Sequence, residues 1–130
     1  MSVAVLLVTH ADLGQAVLRQ ADVLVDGYAL RTALLEIQPD DEPQNRIEDG
    51  QKLIADLDDG DGVLILTDLY GATPSNIAHG LIEAGRTSVV HGLNLGMLMR
   101  AHNYADVGLA EMVEKVIEAG HRSIFAGDPA

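Results

Sequence analysis

Apolar runs alternate along the chain with segments in which apolar residues recur every three or four positions. The runs predict strands, and the periodic segments predict amphipathic helices. The predicted strands cover residues 3–8, 32–37, 62–67 and 87–91, with a weak last strand over 121–126. The predicted helices cover residues 13–25, 44–57, 97–103 and 106–119, together with one that opens at Thr73 and stops at Gly85. This order predicts a single domain over 1–130 with a doubly wound α/β fold. Its mostly parallel sheet of four to five strands would carry helices on both faces.

Two of the predicted helices begin with residues that are typical of a helix N-terminus. Asp12 is placed to cap the helix that follows it, and Thr73 before Pro74 is typical of an N-cap and a first helical residue. The apolar face of the first helix would hold Leu13, Ala16, Val17 and Leu24.

The first and third predicted strands end in side chains that carry chemistry. His10 follows strand 3–8, and Asp68 follows strand 62–67. Because sequential strands tend to be near neighbours, we expect these two strands side by side, with strand 32–37 outside them. Their carboxyl ends would meet at a topological switch point, where open α/β sheets place ligands. A carboxylate that accepts the Nδ1 proton of an imidazole leaves Nε2 free as a nucleophile or base.

The helix that starts at Thr73 opens towards the same crevice. Its free backbone N–H groups and the Thr73 hydroxyl can hold an anion such as phosphate. Together, the imidazole, the carboxylate and the anion site suit transfer of a phosphoryl group onto Nε2 of His10.

Composition narrows the range of partners. The formal net charge is −12, from 20 acidic and 8 basic residues, which argues against nucleic acid as a partner. The chain has no cysteine, so it forms no disulfide or thiolate metal site. The first apolar run is too short for a transmembrane helix and lacks the basic start of a signal peptide. We therefore expect a soluble cytoplasmic protein.

The histidines of the chain are candidate metal ligands. A zinc site from His10, Asp68 and His91 is conceivable from the topology, but the chain lacks the closely spaced histidine pairs or cysteines typical of such sites. We predict no metal and no cofactor, and we expect the other histidines to be structural or exposed. These are His79, His91, His102 and His121.

Three segments resemble the IIA component of the mannose family of the bacterial phosphoenolpyruvate-dependent sugar phosphotransferase system. The first is the opening strand with Thr9-His10. The second, from Asp68 to Asn76, is similar to the family's aspartate–aromatic–glycine–glycine–serine–proline–x–asparagine stretch. The third, from Gly92 to Leu98, is similar to its glycine–valine–asparagine–hydrophobic–proline–methionine–leucine segment.

This resemblance implies a function and a set of site residues. His10 would accept phosphate from the phosphocarrier HPr and pass it on, normally to a IIB component, while Asp68 would be its hydrogen-bond partner. Thr73 would replace the family's serine near the phosphate, with Gly71 and Ser75 as further phosphate-binding residues. The family fold is a mostly parallel sheet, and its members form homodimers that exchange the last strand, here 121–126.

The chain departs from the family pattern at three positions. Ala72 replaces the second glycine, Thr73 replaces serine, and Gly96 stands where proline is usual. The chain also stops without the linker and fused IIB domain of some members, so a regulatory protein could take the place of a IIB acceptor.

Three other functions stay open from the residues alone. A phosphoaspartyl receiver shares the architecture, but it needs an acidic pair after the first strand and a lysine after the fifth. The phosphotransfer subunit of dihydroxyacetone kinase also begins with a strand ending in histidine, but it lacks the loop seen here from Gly71 to Asn76. The third is a non-catalytic binding module in which His10 is never modified.

Overall fold

Four parallel strands form one open sheet in the computed structural model, which describes residues 2–128. The strands are β1 (Ala4–His10), β2 (Thr32–Ile37), β3 (Val63–Thr67) and β4 (Thr87–His91). Their order across the sheet is β2-β1-β3-β4, so β1 and β3 are neighbours and β2 lies outside them. The predicted α/β fold and this adjacency are confirmed.

Within residues 2–128, five helices cover the two faces of the sheet. They are α1 (Leu13–Val25), α2 (Pro43–Leu57), α3 (Thr73–His79), α4 (Leu95–Asn103) and α5 (Leu109–Arg122). Residues of α1, α4 and α5 share one core cluster, and residues of α2 and α3 share the other. No helix within residues 2–128 combines the length and apolarity needed to cross a lipid bilayer.

The central strand β1 supplies both cores. Val5 and Leu7 belong to the cluster under α1, α4 and α5, whereas Leu6 and Val8 belong to the cluster under α2 and α3. Successive side chains of a strand point to opposite faces, so a strand covered on both sides must be apolar throughout. This burial holds the carboxyl end of β1, with His10, firmly at the edge of the sheet.

The structure corrects the predicted strand over 121–126. Helix α5 passes Gly120 and continues to Arg122, where the Ser123 hydroxyl donates to the Ala119 carbonyl at 2.7 Å. Residues 124–128 have no regular structure and are exposed. A strand needs a neighbour for its backbone hydrogen bonds, and a single chain does not pair this segment with β4.

Helix α3 is shorter than predicted. It ends at His79 with Gly80 as its C-cap, instead of running on to Gly85. The chain then forms turns before β4, and the Thr87 hydroxyl fixes them by donating to the Leu81 carbonyl at 2.9 Å. Glycine is a poor helix residue, so these local bonds compete successfully with a further helical turn.

The first helix has the predicted bounds but a different cap and orientation. Asp12 occupies the N-cap position without a side-chain capping bond. Thr9 Oγ1 instead accepts a hydrogen bond from the Gly14 N–H at 2.9 Å. Three residues of the predicted buried face, Leu13, Ala16 and Leu24, are exposed, and Val17 is only partly buried. The buried residues of the helix are instead Gly14 and Ala21. The absence of a side chain at Gly14 allows this close packing, because a Cβ there would lie only 3.0 Å from Thr9 Oγ1.

Candidate active site

The carboxyl ends of β1 and β3 bring His10 and Asp68 into contact. His10 is the last residue of β1, and Asp68 directly follows β3. The Nδ1 atom of His10 lies 2.8 Å from Oδ2 of Asp68, and the same oxygen accepts the His10 backbone N–H at 3.0 Å. One carboxylate oxygen therefore holds both the backbone and the ring of the histidine, which leaves the ring little freedom to rotate.

Exposure differs sharply between the two partners. The side chain of His10 is 51% exposed, whereas that of Asp68 is 8% exposed. A carboxylate can only accept, so Nδ1 carries the proton and Nε2 carries a lone pair. Within residues 2–128, no protein group forms a hydrogen bond with Nε2. The ring thus presents a bare nitrogen at the surface.

The second oxygen of Asp68 is buried. Oδ1 has no hydrogen-bond partner within the part of the chain that the structure describes. A buried acceptor without a donor is costly, and a positive charge on the neighbouring imidazole would offset part of that cost. The site therefore favours a reaction that places positive charge on the His10 ring.

A tight turn follows the histidine. Ala11 has a φ of 39°, in the left-handed region that side chains other than glycine rarely adopt, and its N–H bonds the Ile37 carbonyl at 2.9 Å. The bond extends the pairing of β1 with β2 by one residue, and the positive φ of Ala11 then turns the chain. The imidazole consequently stands at the rim and is not covered by the start of α1.

An open depression of about 400 Å³ lies beside the imidazole. Its walls are His10, Ala11, Ile37, Gln38, Pro39 and Thr73. Thr73 is exposed and is the first residue of α3, while Ala72 holds the N-cap position, one residue earlier than predicted. The structure therefore brings together His10, Asp68 and Thr73.

Gly71 and Ser75 lie in the same loop but bond each other. Ser75 is fully buried, and its Oγ accepts the Gly71 N–H at 2.9 Å. Gly71 has a φ of +86°, which favours glycine, and a Cβ there would meet no atom within 4 Å. This bond shapes the loop that carries Thr73, and the predicted phosphate contacts of Gly71 and Ser75 stay predictions.

A pair of histidines at the neighbouring strand end escaped the sequence reasoning. The Nε2 atoms of His79 and His91 lie 3.2 Å apart. Burial, and then the charge of His79, lower the pKa of His91 below its usual value. The pair could have been predicted from the strand order. The end of β4, with His91, lies beside the end of β3, and α3, with His79, packs at the same edge of the sheet.

Comparison with known proteins identifies the class to which this fold and site belong. Residues 4–117 match the family model described as the PTS system fructose IIA component, where PTS denotes the sugar phosphotransferase system. The chain belongs to this family and is a mannose-family IIA component.

Individual relatives agree with this assignment. The chain is 26% identical over 129 residues to the mannose-specific EIIAB component of Escherichia coli K12; the match covers 97% of this chain and 40% of that protein. The chain thus spans less than half of the relative's length.

Two solved structures share the fold. The mannose/sorbose-specific IIA subunit from Enterococcus faecalis superposes with a TM-score of 0.88 at 21% identity, covering 100% of this chain and 98% of that one. The phosphotransferase component EIIA from Streptococcus agalactiae gives a TM-score of 0.80 at 23% identity, covering 95% and 96%.

Proposed function

We propose that His10 is the residue that carries the phosphoryl group. The supporting observation is the 2.8 Å contact between His10 Nδ1 and Asp68 Oδ2 beneath a half-exposed ring. This contact leaves the Nε2 lone pair free to attack phosphorus in line, as a nucleophilic histidine requires. The P–N bond forms on Nε2 while the bond from phosphorus to the donor nitrogen breaks.

Asp68 acts as a positioning and charge-stabilising residue in this proposal. The ring becomes positively charged as the P–N bond forms, and the adjacent carboxylate stabilises that charge. Catalysis of phosphoryl transfer depends mainly on positioning and electrostatic stabilisation. The buried carboxylate of Asp68, which holds the backbone and the ring of His10 through one oxygen, is suited to both.

Thr73 is the proposed contact for the phosphoryl oxygens. It lines the depression beside His10, and its hydroxyl can donate to an anionic oxygen. Gly71 and Ser75 support the loop from beneath through their mutual bond. We assign no metal or cofactor to this step, since the phosphoryl group passes from one histidine nitrogen to another and the exchange is near balance.

The proposed donor is the phosphocarrier HPr, and the proposed acceptor is a IIB component or a regulatory protein. The 40% coverage of the mannose-specific EIIAB relative leaves room for acceptor functions elsewhere in that longer protein. The family membership supports a cytoplasmic protein that meets the membrane through a permease complex, and the net charge of −12 argues against nucleic acid.

We further propose a homodimer. Strand β4 is an edge strand, and a depression of about 500 Å³ lies between β4 and α5. Ile124 and Phe125 are 76% and 81% exposed in the single chain. Exchange of the residues that follow Arg122 between two copies would pair this edge and bury these side chains. Light scattering of the intact chain and of a chain ending at Arg122 tests this, and a monomeric intact chain would refute it.

One experiment tests the phosphoryl carrier directly. The protein is incubated with phosphoenolpyruvate, enzyme I and HPr, and its intact mass is measured. We expect the mass of one phosphoryl group on the wild type and none on His10→Ala. The bond should be acid-labile and base-stable, because a base-labile bond would indicate an acyl phosphate as in receivers. Unchanged mass of the folded wild type would support a non-catalytic binding module instead.

A further inference from the structure

Two histidines outside the proposed phosphoryl site face each other at the same edge of the sheet. His79 is the last residue of α3, and His91 is the last residue of β4. Their Nε2 atoms are 3.2 Å apart, and their ring centroids are 5.1 Å apart. Tyr70 packs edge-on against His91 with a centroid distance of 4.9 Å. The pair thus joins α3, β4 and the loop after β3.

These distances can be compared with two arrangements of paired imidazoles. Two imidazoles on one tetrahedral Zn²⁺, each at about 2.05 Å, hold their nitrogens about 3.3 Å apart and their centroids about 5.2 Å apart. A linear N–H···N bond of the observed length would place the centroids about 5.5 Å apart. The observed centroid distance of 5.1 Å lies nearer the convergent arrangement.

A buried hydroxyl holds the far side of the His91 ring. Its Nδ1 lies 2.6 Å from Oγ1 of Thr67, which is fully buried at the end of β3. When Nδ1–H donates to this hydroxyl, Nε2 carries the lone pair and faces His79. A hydrogen bond of this kind on the other ring nitrogen fixes the tautomer and the orientation of a ligating imidazole.

We propose that His79 and His91 chelate a divalent transition-metal ion, of which zinc fits best, through their two Nε2 atoms. Imidazole nitrogens suit Zn²⁺ and its neighbours in the transition series, whereas Mg²⁺ and Ca²⁺ prefer oxygen. A linear two-coordinate ion would hold the nitrogens on opposite sides, farther apart than 3.2 Å. Within residues 2–128 no group of three histidine, cysteine or carboxylate side chains is assembled for a metal, so water would fill the remaining positions.

The test is a calorimetric titration of the metal-stripped chain with Zn²⁺ at a pH where imidazole is neutral. We expect one Zn²⁺ per chain. His79→Gln and His91→Asn should each weaken binding at least about tenfold, because each removes one of two ligands. In His91→Asn the amide can still bond Thr67 Oγ1, so this variant removes Nε2 while retaining a partner for the buried hydroxyl.

Two further variants locate the site. His102→Asn is the matched control. It removes an imidazole of α4 whose Nδ1 accepts the Ala29 N–H, so this imidazole is already engaged in a different contact. His10→Ala removes the other imidazole at this sheet edge. Both should bind Zn²⁺ as the wild type does. Loss of binding in His10→Ala with retention in His79→Gln would overturn the proposal and assign the ion to the phosphoryl site.

Nitrogen NMR of the wild type gives a readout that does not depend on the variants folding. Added Zn²⁺ should shift the Nε2 resonances of His79 and His91 together. A persistent Nε2–H···Nε2 bond in the presence of Zn²⁺, or equal affinity in all variants, would overturn the proposal. Neither result bears on whether His10 carries phosphate, so the two proposals fail independently.

Discussion

Replacing Asp68 by asparagine isolates the charge of the carboxylate from its shape. The asparagine Oδ1 can still accept the His10 backbone N–H, a bond of 3.0 Å in the wild type, so the fold should persist. What is lost is the anion 2.8 Å from Nδ1 of the ring. The variant therefore tests whether that anion stabilises the positive ring formed during phosphorylation.

The size of the effect follows from the burial of the pair. A hydrogen bond to a charged group contributes about 1.5–3 kcal/mol, and a fully exposed ion pair contributes less than about 1 kcal/mol. With Asp68 8% exposed and His10 51% exposed, a value near the lower end of the first range, about 1.5–2 kcal/mol, is appropriate. This corresponds to a rate lower by about 10–30-fold.

A change of tautomer adds to this loss. If the asparagine amide instead turns its NH₂ towards Nδ1, it loses the bond to the His10 backbone N–H and stabilises the ring with the proton on Nε2. That proton blocks the lone pair that attacks phosphorus. We therefore treat a tenfold decrease as the minimum expected effect.

The assay is quenched-flow phosphorylation by phospho-HPr, followed by intact mass. Asp12→Asn is the matched control, because Asp12 lies two residues from His10 and forms no capping bond through its side chain. It should react within about twofold of the wild type, since exposed charges act weakly. A folded Asp68→Asn that reacts at the wild-type rate would refute the assigned role, and equal losses in both variants would indicate a general charge effect.

Three further predictions concern Thr73, two glycines and Asp58. Thr73→Val should phosphorylate about tenfold more slowly while Thr73→Ser reacts normally, because only the hydroxyl bonds the phosphoryl group; equal rates would contradict this. Gly62→Ala should lower the free energy of unfolding in urea by at least about 2 kcal/mol. Its φ is +88° and the new Cβ would lie 2.8 Å from the Arg86 carbonyl oxygen, whereas Gly85→Ala, at φ +81° in open space, should lose less. Backbone N–H groups of the following loop, then Arg86, lower the pKa of Asp58. The folded state therefore favours the carboxylate, and the deficit of Asp58→Asn at pH 7 should shrink as pH falls below about 4. A pH-independent deficit would contradict this.

The central part of the fold could be predicted because its signals are local. An uninterrupted apolar run such as Ala4 to Val8 forms a strand covered on both faces, and the order of such runs fixes which strands become neighbours. The contact of His10 with Asp68 then follows, since both residues stand at the carboxyl ends of adjacent parallel strands. No long-range side-chain information was needed for that step.

Other features depend on hydrogen bonds between residues that are separated in the sequence, and the pattern of apolar and polar residues does not reveal these bonds. The end of α3 at His79 depends on turn bonds made by Thr87, several residues away. The cap of α1 comes from Thr9, which lies inside a strand, and not from Asp12. Segment 121–126 has the pattern of a strand, but within one chain it has no neighbour, so its first residues extend α5 instead.

The two histidine pairs at this sheet edge show why neighbouring residues decide the chemistry of an imidazole. His10 lies against a carboxylate, which stabilises a positive ring, and it faces solvent. His91 lies against a hydroxyl and a second imidazole, and its lowered pKa shows that its surroundings disfavour a positive ring. A phosphoryl group arriving at this edge would therefore be held better on His10. The two proposed functions are thus separated by the partners of each imidazole, a carboxylate for His10 and a hydroxyl with a second imidazole for His91, as well as by position.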